Sequence, residues 1–314
     1  MPSALEDLPA SARGVKPHYE TVGVNGSSRR PLTAHQREKF VMCAPKYLST
    51  KIPNNIFMET VHERAKVNIP RALAQYSRII RLLKALEVTV MEIPPVPGCQ
   101  DQTYTANVAI SIHPYVIIAN YKAAGRSCEE APAKEFFRKY GYNVIQPPFK
   151  FEGEADLKKW KDGVYFGGHG KFSDIKAYDW ISHKTGVEII PLREISDKLY
   201  HLDCSLFVLD EQNLLVNREG MDPESFKRLE KLANITVVPP DISATGCTNA
   251  VKIPGDKRIL LSGMFFPEEK KYQKSMDWMN ATFDKFNYTV LFMDIDECDK
   301  SGADISCCVM HLTF

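Results

Sequence analysis

Three kinds of side chain in this sequence could together carry out nucleophilic chemistry: a thiol, an imidazole and several carboxylates. The thiol is Cys307, which follows a turn at Ser301-Gly302 and opens an apolar run that ends at Leu312. The imidazole is His201. A thiolate can attack an electrophilic carbon, while a histidine can protonate the leaving amine and later deprotonate water. We therefore predict Cys307 and His201 as the catalytic residues.

The polar residues recur at one point of a repeating pattern, where each repeat enters its first strand. The segments are 101–107, 151–156, 201–203, 245–249 and 301–307. Taken alone, Cys307 is typical of a packed thiol, His201 of a surface or hydrogen-bonded histidine, and the acids of 152–156 of a solvated loop. Their shared position favours one common site, because equivalent positions of a pseudo-symmetric ring point to the same axis.

The acidic residues of these segments predict a positively charged substrate. Carboxylates around a thiol raise its pKa, which is unfavourable if the substrate is neutral. A guanidinium would offset the acids and favour the thiolate, and its planar set of donors suits paired carboxylates. The residue types thus indicate chemistry on a guanidino compound.

The elements that must position these residues repeat as strand, strand, helix, strand at a spacing of about fifty residues, which is typical of propellers and arrays. Four units are complete, and their helices are predicted over 127–140, 174–184, 222–233 and 268–286. The fifth unit combines a strand after Cys307 with a strand at Phe40, a helix from Ile69 to Leu86 and a strand from Val88. We predict an α/β fold, a five-bladed α/β propeller of ββαβ repeats in which the chain termini close one blade.

Local signals mark several helix boundaries. Asn68 is placed to cap the helix from Ile69, and Ser127 with Glu130 matches a capping box. A helix that begins at Ser173-Asp174 is stopped by Gly186.

Composition narrows the class of protein. The chain has 314 residues, of which 44% are apolar, and a net charge of +1. Near-neutrality without a basic block argues against nucleic-acid binding, and no stretch approaches the roughly 18 apolar residues of a membrane span. Eight cysteines without a CxxC pair predict neither a disulfide framework nor a zinc site, so most should be reduced and buried. We predict a cytoplasmic protein with a flexible tail over residues 1–35 and one catalytic domain over 36–314.

Two segments look like ligand-binding motifs without matching them. The segment from Gly167 to Ser173 lacks the spacing of a phosphate-binding loop. The acidic segment 294–302 has its glycine at the wrong position for a calcium loop and no closing glutamate. We therefore predict no metal and no cofactor.

The ordered motifs resemble the pentein superfamily of guanidine-modifying enzymes over nearly everything after residue 38. They are Asp101-x-x-Tyr-Thr-Ala-Asn107, Phe151-Glu-Gly-x-Ala-Asp156, Gly168-x-Gly-x-x-Ser-Asp174, His201-Leu-Asp203 and Ser301-Gly-x-x-x-x-Cys307. Within that superfamily the chain looks most like the branch of arginine dihydrolases, dimethylarginine dimethylaminohydrolase-like proteins and amidinotransferase-like proteins.

The resemblance implies a covalent S-alkylthiouronium intermediate on Cys307, with His201 acting first as general acid and then as general base. It also implies that acidic and amide side chains bind the substrate, and these are Asp101, Asn107, Glu152, Asp156 and Asp203.

The chain departs from the pattern of that superfamily at two positions. Members that use arginine typically have an arginine, which can hold the substrate carboxylate, where this chain has Phe172. Either Lys171 or another basic residue such as Arg64 makes that contact, or the substrate has no carboxylate there. Ala155 replaces a usual glycine, which is a small change.

The leading hypothesis is a cofactor-free hydrolase of a guanidino compound such as arginine or a methylarginine. An amidinotransferase is the second hypothesis, although nothing in the sequence marks an acceptor site. The third is a non-catalytic protein that binds a small molecule, and intact Cys307, His201 and Asp203 argue against it. The expected partner is a small guanidino substrate, and the sequence leaves room for a homodimer.

Overall fold

The computed structural model of the protein describes residues 38–60, 66–255, 257–264 and 269–313. The predicted tail over 1–35, Arg64 and the predicted helix start at Glu268 lie outside these residues. The strands form five sheets of three strands each. In every sheet the middle strand pairs antiparallel with the first strand of its unit and parallel with the third.

The elements have the following bounds. The strands are β1 (Lys39–Met42), β2 (Val90–Glu92), β3 (Ala109–Ile112), β4 (Tyr115–Ile118), β5 (Asn143–Ile145), β6 (Leu157–Lys161), β7 (Val164–His169), β8 (Glu188–Arg193), β9 (Leu206–Val208), β10 (Asn213–Val216), β11 (Asn234–Val237), β12 (Val251–Lys252), β13 (Ile259–Met264), β14 (Thr289–Asp294) and β15 (Met310–Leu312). The α-helices are α1 (Ile56–Thr60), α2 (Ile69–Ala85), α3 (Glu130–Lys139), α4 (Gly153–Asp156), α5 (Ile175–Thr185), α6 (Pro223–Leu232), α7 (Lys270–Asp284) and α8 (Asp296–Asp299).

One sheet joins the two ends of the described chain. Strand β15 pairs antiparallel with β1, so that Met310 lies opposite Val41, and β1 pairs parallel with β2. The other four sheets are formed by β3 to β5, β6 to β8, β9 to β11 and β12 to β14. The predicted α/β fold of five ββαβ units is confirmed, and the five small sheets are consistent with five blades.

Five apolar clusters hold neighbouring sheets together. The cluster around Phe40 and Leu261, for example, joins the sheet of the chain ends to the β12–β14 sheet. Four further clusters join the remaining neighbours, and following them from sheet to sheet leads back to the first. Burial of these side chains is the main driving force for packing the sheets side by side. None of the helices in the described ranges is long and apolar enough to cross a membrane.

The helix signals of the sequence are confirmed at two of three positions. The side chain of Asn68 caps α2 by accepting a hydrogen bond from the Arg71 backbone at 3.1 Å. Asp174 caps α5, which ends at Gly186 with a φ of +77°. The capping box at Ser127 is wrong: a 3-10 turn over residues 124–129 contains Ser127, and α3 begins only at residue 130.

The second unit begins its sheet with β6, after the short helix α4. One strand prediction needs correction. The run from Ile305 to Leu312 is buried as predicted up to Met310, yet only its last three residues form a strand. Cys307 instead lies in a 3-10 turn just before β15.

The cysteines largely follow the sequence prediction. Six are free, and five of these are buried. The remaining two, Cys99 and Cys128, form a disulfide between the segments that carry residues 100–107 and 124–129.

Gly153 is a position where only glycine fits, and it lies between the site residues Glu152 and Asp156. Its φ is +63°, and an added Cβ would lie 2.5 Å from the carbonyl oxygen of Ala106 and 2.7 Å from that of Asn107. We expect Gly153→Ala to lower the free energy of unfolding by about 2–4 kcal/mol in chemical denaturation.

Gly163→Ala is the matched control for this change. Gly163 also has a positive φ, +70°, but no described atom lies within 4 Å of its added Cβ. The free energy of unfolding of Gly163→Ala should fall only by the cost of the left-handed backbone, about 1 kcal/mol. Equal losses in the two variants would show that the close approach to Ala106 and Asn107 does not matter.

Candidate active site

Five of the seven predicted site residues line one cavity. They are Asp101, Asn107, Glu152, His201 and Cys307. The other two, Asp156 and Asp203, are fully buried but are not among the residues that line this cavity. The structure therefore brings the thiol, the imidazole, two carboxylates and an amide to one place.

The position of these residues in the fold follows the repeat. Each sheet has a polar or thiol residue one to three positions before its first strand, and these residues are Asn107, Asp156, Asp203, Asn249 and Cys307. Short turns or helices end at or beside several of them, because the chain must change direction before it enters the strand. The common repeat position that the sequence indicated is thus where the structure has them.

The Cys307 thiol is buried beside one acceptor and one donor. Its Sγ lies 3.9 Å from Asp203 Oδ2 and 3.6 Å from Asn249 Nδ2. Burial, followed by the negative charge of Asp203, raises the pKa of Cys307 well above its ordinary value. Without a nearby positive charge this residue is therefore a thiol rather than a thiolate at neutral pH.

His201 is held by a carboxylate and an amide. Its Nε2 lies 2.9 Å from Glu152 Oε2, and Asn107 Nδ2 lies 3.3 Å from the same ring nitrogen. Burial alone would lower the pKa of His201, but the charge of Asp156 and the hydrogen bond to Glu152 outweigh it, so that the net shift is upward. The imidazolium form, which can donate a proton, therefore persists to higher pH than in an ordinary histidine.

Two buried carboxylate oxygens of residues lining the cavity have no hydrogen-bond partner in the part of the chain that the structure describes. Among the described residues, neither Asp101 Oδ1 nor Glu152 Oε1 has a hydrogen-bond partner, although both atoms are buried. The other Asp101 oxygen accepts hydrogen bonds from Asn54 at 2.6 Å and from Gln100 at 3.2 Å. A buried carboxylate oxygen left without a donor is costly, so such atoms indicate where a ligand's donors bind.

Asp156 and Asp203 form hydrogen bonds that hold the segments carrying the site residues. Asp156 accepts hydrogen bonds from the Ser173 hydroxyl at 2.6 Å and from the Leu202 backbone at 3.3 Å. Burial raises the pKa of Asp156 to about 7. Asp203 accepts a hydrogen bond from the Ser306 hydroxyl at 2.8 Å, which ties it to the turn that carries Cys307.

Sequence reasoning missed Arg126, which lines the cavity. Its guanidinium donates two hydrogen bonds to Glu129, both at 2.9 Å, while Nη1 lies 4.0 Å from Glu152 Oε2. It is the only lysine or arginine among the described residues that line the cavity. The signal in the sequence was weak, because one arginine in a loop of small residues is common on any surface.

Phe172, at the position of the expected arginine, packs against other aromatic rings. The Phe172 ring lies 4.9 Å from the His201 ring, and Tyr200 packs against both. Lys171, the proposed replacement, is not among the lining residues and forms an ion pair with Asp197 at 2.6 Å. Lys171 therefore does not take over the missing contact in this structure.

The described part of the chain has no group of three or more histidine, cysteine, aspartate or glutamate residues placed to hold a metal ion. The arrangement instead places a thiol and an imidazole beside buried carboxylates.

Comparison with known protein families identifies the family of this chain. A family model described as N,N dimethylarginine dimethylhydrolase, eukaryotic, matches residues 44–314. The chain belongs to this family. Membership in the dimethylhydrolase family makes it a hydrolase of C–N bonds in amidines. It also confirms the resemblance to the guanidine-modifying pentein superfamily.

Relatives of the dimethylhydrolase-family chain are distant in sequence. YkgA of Bacillus subtilis, an uncharacterized protein, is 24% identical over 88% of this chain and 91% of its own length. The N(G),N(G)-dimethylarginine dimethylaminohydrolase of Mycobacterium tuberculosis is 23% identical over 87% of this chain and 85% of its own. The bifunctional arginine dihydrolase/ornithine cyclodeaminase AgrE of Nostoc is 24% identical, but the match spans only 38% of AgrE.

Solved structures share the fold. The N-terminal domain of ArgZ, a cyanobacterial arginine dihydrolase, superposes with a TM-score of 0.79 at 21% identity, covering 88% of this chain and 98% of that domain. A dimethylarginine dimethylaminohydrolase adduct structure has a TM-score of 0.69 at 18% identity, covering 88% and 99%. The same ArgZ domain has also been solved covalently bound to a reaction intermediate.

Proposed function

We propose that this protein hydrolyses a guanidino compound through a covalent intermediate on Cys307, with an N-methylated arginine as the first candidate substrate and arginine as the second. The first candidate is supported by the family, and the second by the arginine dihydrolases among the relatives. The observation that carries the proposal is the cavity itself. It combines a thiol and an imidazole with two buried carboxylate oxygens that have no hydrogen-bond partner among the described residues.

Substrate binding would bring a further positive charge into the site. A guanidinium in the cavity has donors for Asp101 Oδ1 and Glu152 Oε1, and a charge-assisted pair is stronger than a neutral one. The same cation would lower the pKa of the Cys307 thiol, which burial and Asp203 raise. The nucleophile is thus activated by the substrate on which it acts.

The reaction then proceeds in two halves. In the first, the Cys307 thiol loses its proton to solvent, Sγ forms a bond to the guanidinium carbon, the bond to one amine breaks, and His201 donates a proton to that leaving amine. In the second, neutral His201 removes a proton from water, which attacks the same carbon, and the C–S bond breaks to release a ureido product and the thiol. Glu152 stabilises the imidazolium through its 2.9 Å contact.

Arg126 and Phe172 border the part of the cavity that would hold the guanidinium. Arg126 Nη1 lies 4.0 Å from Glu152 Oε2, and Nη2 donates a hydrogen bond to the Asp101 backbone oxygen at 3.3 Å. Phe172 offers an apolar face beside His201 where an arginine would offer charge.

Product analysis tests the proposal directly. Purified protein would be incubated with arginine, mono- and dimethylated arginines, agmatine and guanidino acids, and the products identified by mass spectrometry. Citrulline with methylamine or dimethylamine would show hydrolysis of a methylated arginine, citrulline with ammonia would show deimination, and ornithine with ammonia would show dihydrolysis. Absence of turnover on every compound by a folded protein would contradict the proposal. Turnover that requires an added acceptor amine would instead show an amidinotransferase.

Asp101→Asn should weaken substrate binding, because it removes the charge opposite the guanidinium. One charged hydrogen bond corresponds to about a tenfold to hundredfold change in affinity, so KM should rise by that factor. Labelling of Cys307 by a cationic haloacetamidine should slow as well, while labelling by the neutral haloacetamide changes little. Asp162→Asn, which alters a fully exposed carboxylate, is the control. An unchanged KM in Asp101→Asn would remove Asp101 from the binding role.

A further inference from the structure

Asn249 is a buried amide beside Cys307 that the proposed reaction does not yet use. Asn249 is 1% exposed, and it precedes β12 at the repeat position that Asp156 and Asp203 occupy in their own sheets. We infer that Asn249 is a positioning residue that stabilises the thiolate form of Cys307. The inference rests on the proposed function to the extent that Cys307 is the nucleophile.

The orientation of the amide is fixed by the backbone. Asn249 Oδ1 accepts a hydrogen bond from the Ser306 backbone N–H at 2.8 Å. An N–H can only donate, so the oxygen must face Ser306 and the NH₂ group must face elsewhere. The NH₂ nitrogen is the nearer of the two amide atoms to Cys307 Sγ, at 3.6 Å against 4.0 Å for the oxygen.

Two groups beside the sulfur thus favour opposite protonation states of Cys307. Asp203 Oδ2, at 3.9 Å, accepts hydrogen bonds and so favours the protonated thiol. Asn249 Nδ2 donates and so favours the thiolate. Burial and Asp203 raise the pKa of Cys307, whereas the hydrogen bond from Asn249 acts in the opposite direction. The donor stays in place before and after the substrate brings its own charge.

The chemistry also explains why this position has an amide rather than an acid. A carboxylate at residue 249 would add a second negative charge against the sulfur and would oppose thiolate formation. The side chain could still accept the Ser306 N–H, so the turn would keep its hydrogen bond. Asn249→Asp therefore removes the donor and leaves the local structure in place.

The experiment measures the pH dependence of Cys307 alkylation by iodoacetamide, with the modified peptide identified by mass spectrometry. Asn249→Asp and Asn249→Ala are compared with the parent protein, and Asn143→Asp, at the exposed first residue of β5, is the control for the charge change. The midpoint should move up by about one to two pH units in both Asn249 variants and stay unchanged in the control. The fall in kcat should exceed any change in KM.

Each outcome decides the inference. An unchanged midpoint in a folded Asn249 variant, or an equal shift in Asn143→Asp, overturns it. Melting temperatures establish folding, and if Asn249→Asp does not fold, Asn249→Ala decides alone. The proposed function is judged separately, by whether the parent protein turns over any guanidino compound. Turnover by the parent with an unchanged midpoint in the variants would thus reject the role of Asn249 and keep the function.

Discussion

Replacement of Cys307 with serine is expected to lower kcat/KM by about a thousandfold or more, because a hydroxyl in this position is a far weaker nucleophile than a thiolate. The fold should survive, since serine is slightly smaller than cysteine and Asp203 and Asn249 can still bond a hydroxyl. Steady-state kinetics on the best substrate of the panel would measure the loss, and thermal unfolding would confirm that the variant is folded.

The adjacent Cys308 provides a control at the next position of the chain. Cys308 is equally buried, but its Sγ lies 4.0 Å from the sulfur of Cys298 and it is not among the residues lining the cavity. Cys308→Ser should keep kcat/KM within about threefold and cost about 1 kcal/mol of stability, as expected for a polar atom placed in an apolar core. Loss of activity in Cys308→Ser but not in Cys307→Ser would contradict the assignment of the nucleophile.

His201→Gln is expected to reduce kcat by about a hundredfold to ten-thousandfold, because both proton transfers of the reaction lose their donor or acceptor. The pH profile should change in a defined direction. The pKa of His201 is raised, so a step that needs the imidazolium is fast below that pKa and is lost as the pH rises through it. In the variant this decline on the basic side should disappear.

His183→Gln is the control for this change, since His183 is exposed on α5 and lies outside the cavity. Its kcat and pH profile should match those of the unchanged protein. A pH profile of His201→Gln that still has the original decline on the basic side would assign that decline to another group.

The sequence predicted the repeat and much of the site for identifiable physical reasons. Apolar periodicity located the strands and helices, and polar caps at Asn68 and Asp174 defined two helix starts. The capping box at Ser127 failed because the segment folds as a 3-10 turn, and Glu130 accepts instead from Gln146 and the Tyr121 backbone. Such competition between distant partners leaves no pattern in a local stretch of sequence.

The side chains that face the cavity were harder to predict than the segments that carry them. Asp101, Glu152 and Asp156 are all acidic and near the starts of their units, yet only the first two line the cavity. The difference arises from the turns before each strand, whose geometry rotates neighbouring side chains to different sides. Arg126 was missed, and Asn249 was included in a polar segment without a role, because their contacts span sequence separations of 26 and 58 residues.

The most direct test of covalent catalysis at Cys307 is the mass of the peptide that contains this residue during turnover. Protein mixed with the best substrate would be quenched in acid within the first turnovers, digested and analysed by mass spectrometry. We expect the peptide with Cys307 to gain the mass of the substrate less its leaving amine. His201→Gln should change the amount of this adduct, and Cys307→Ser should abolish it. Turnover without any adduct, or an adduct on another residue, would contradict a covalent mechanism at Cys307.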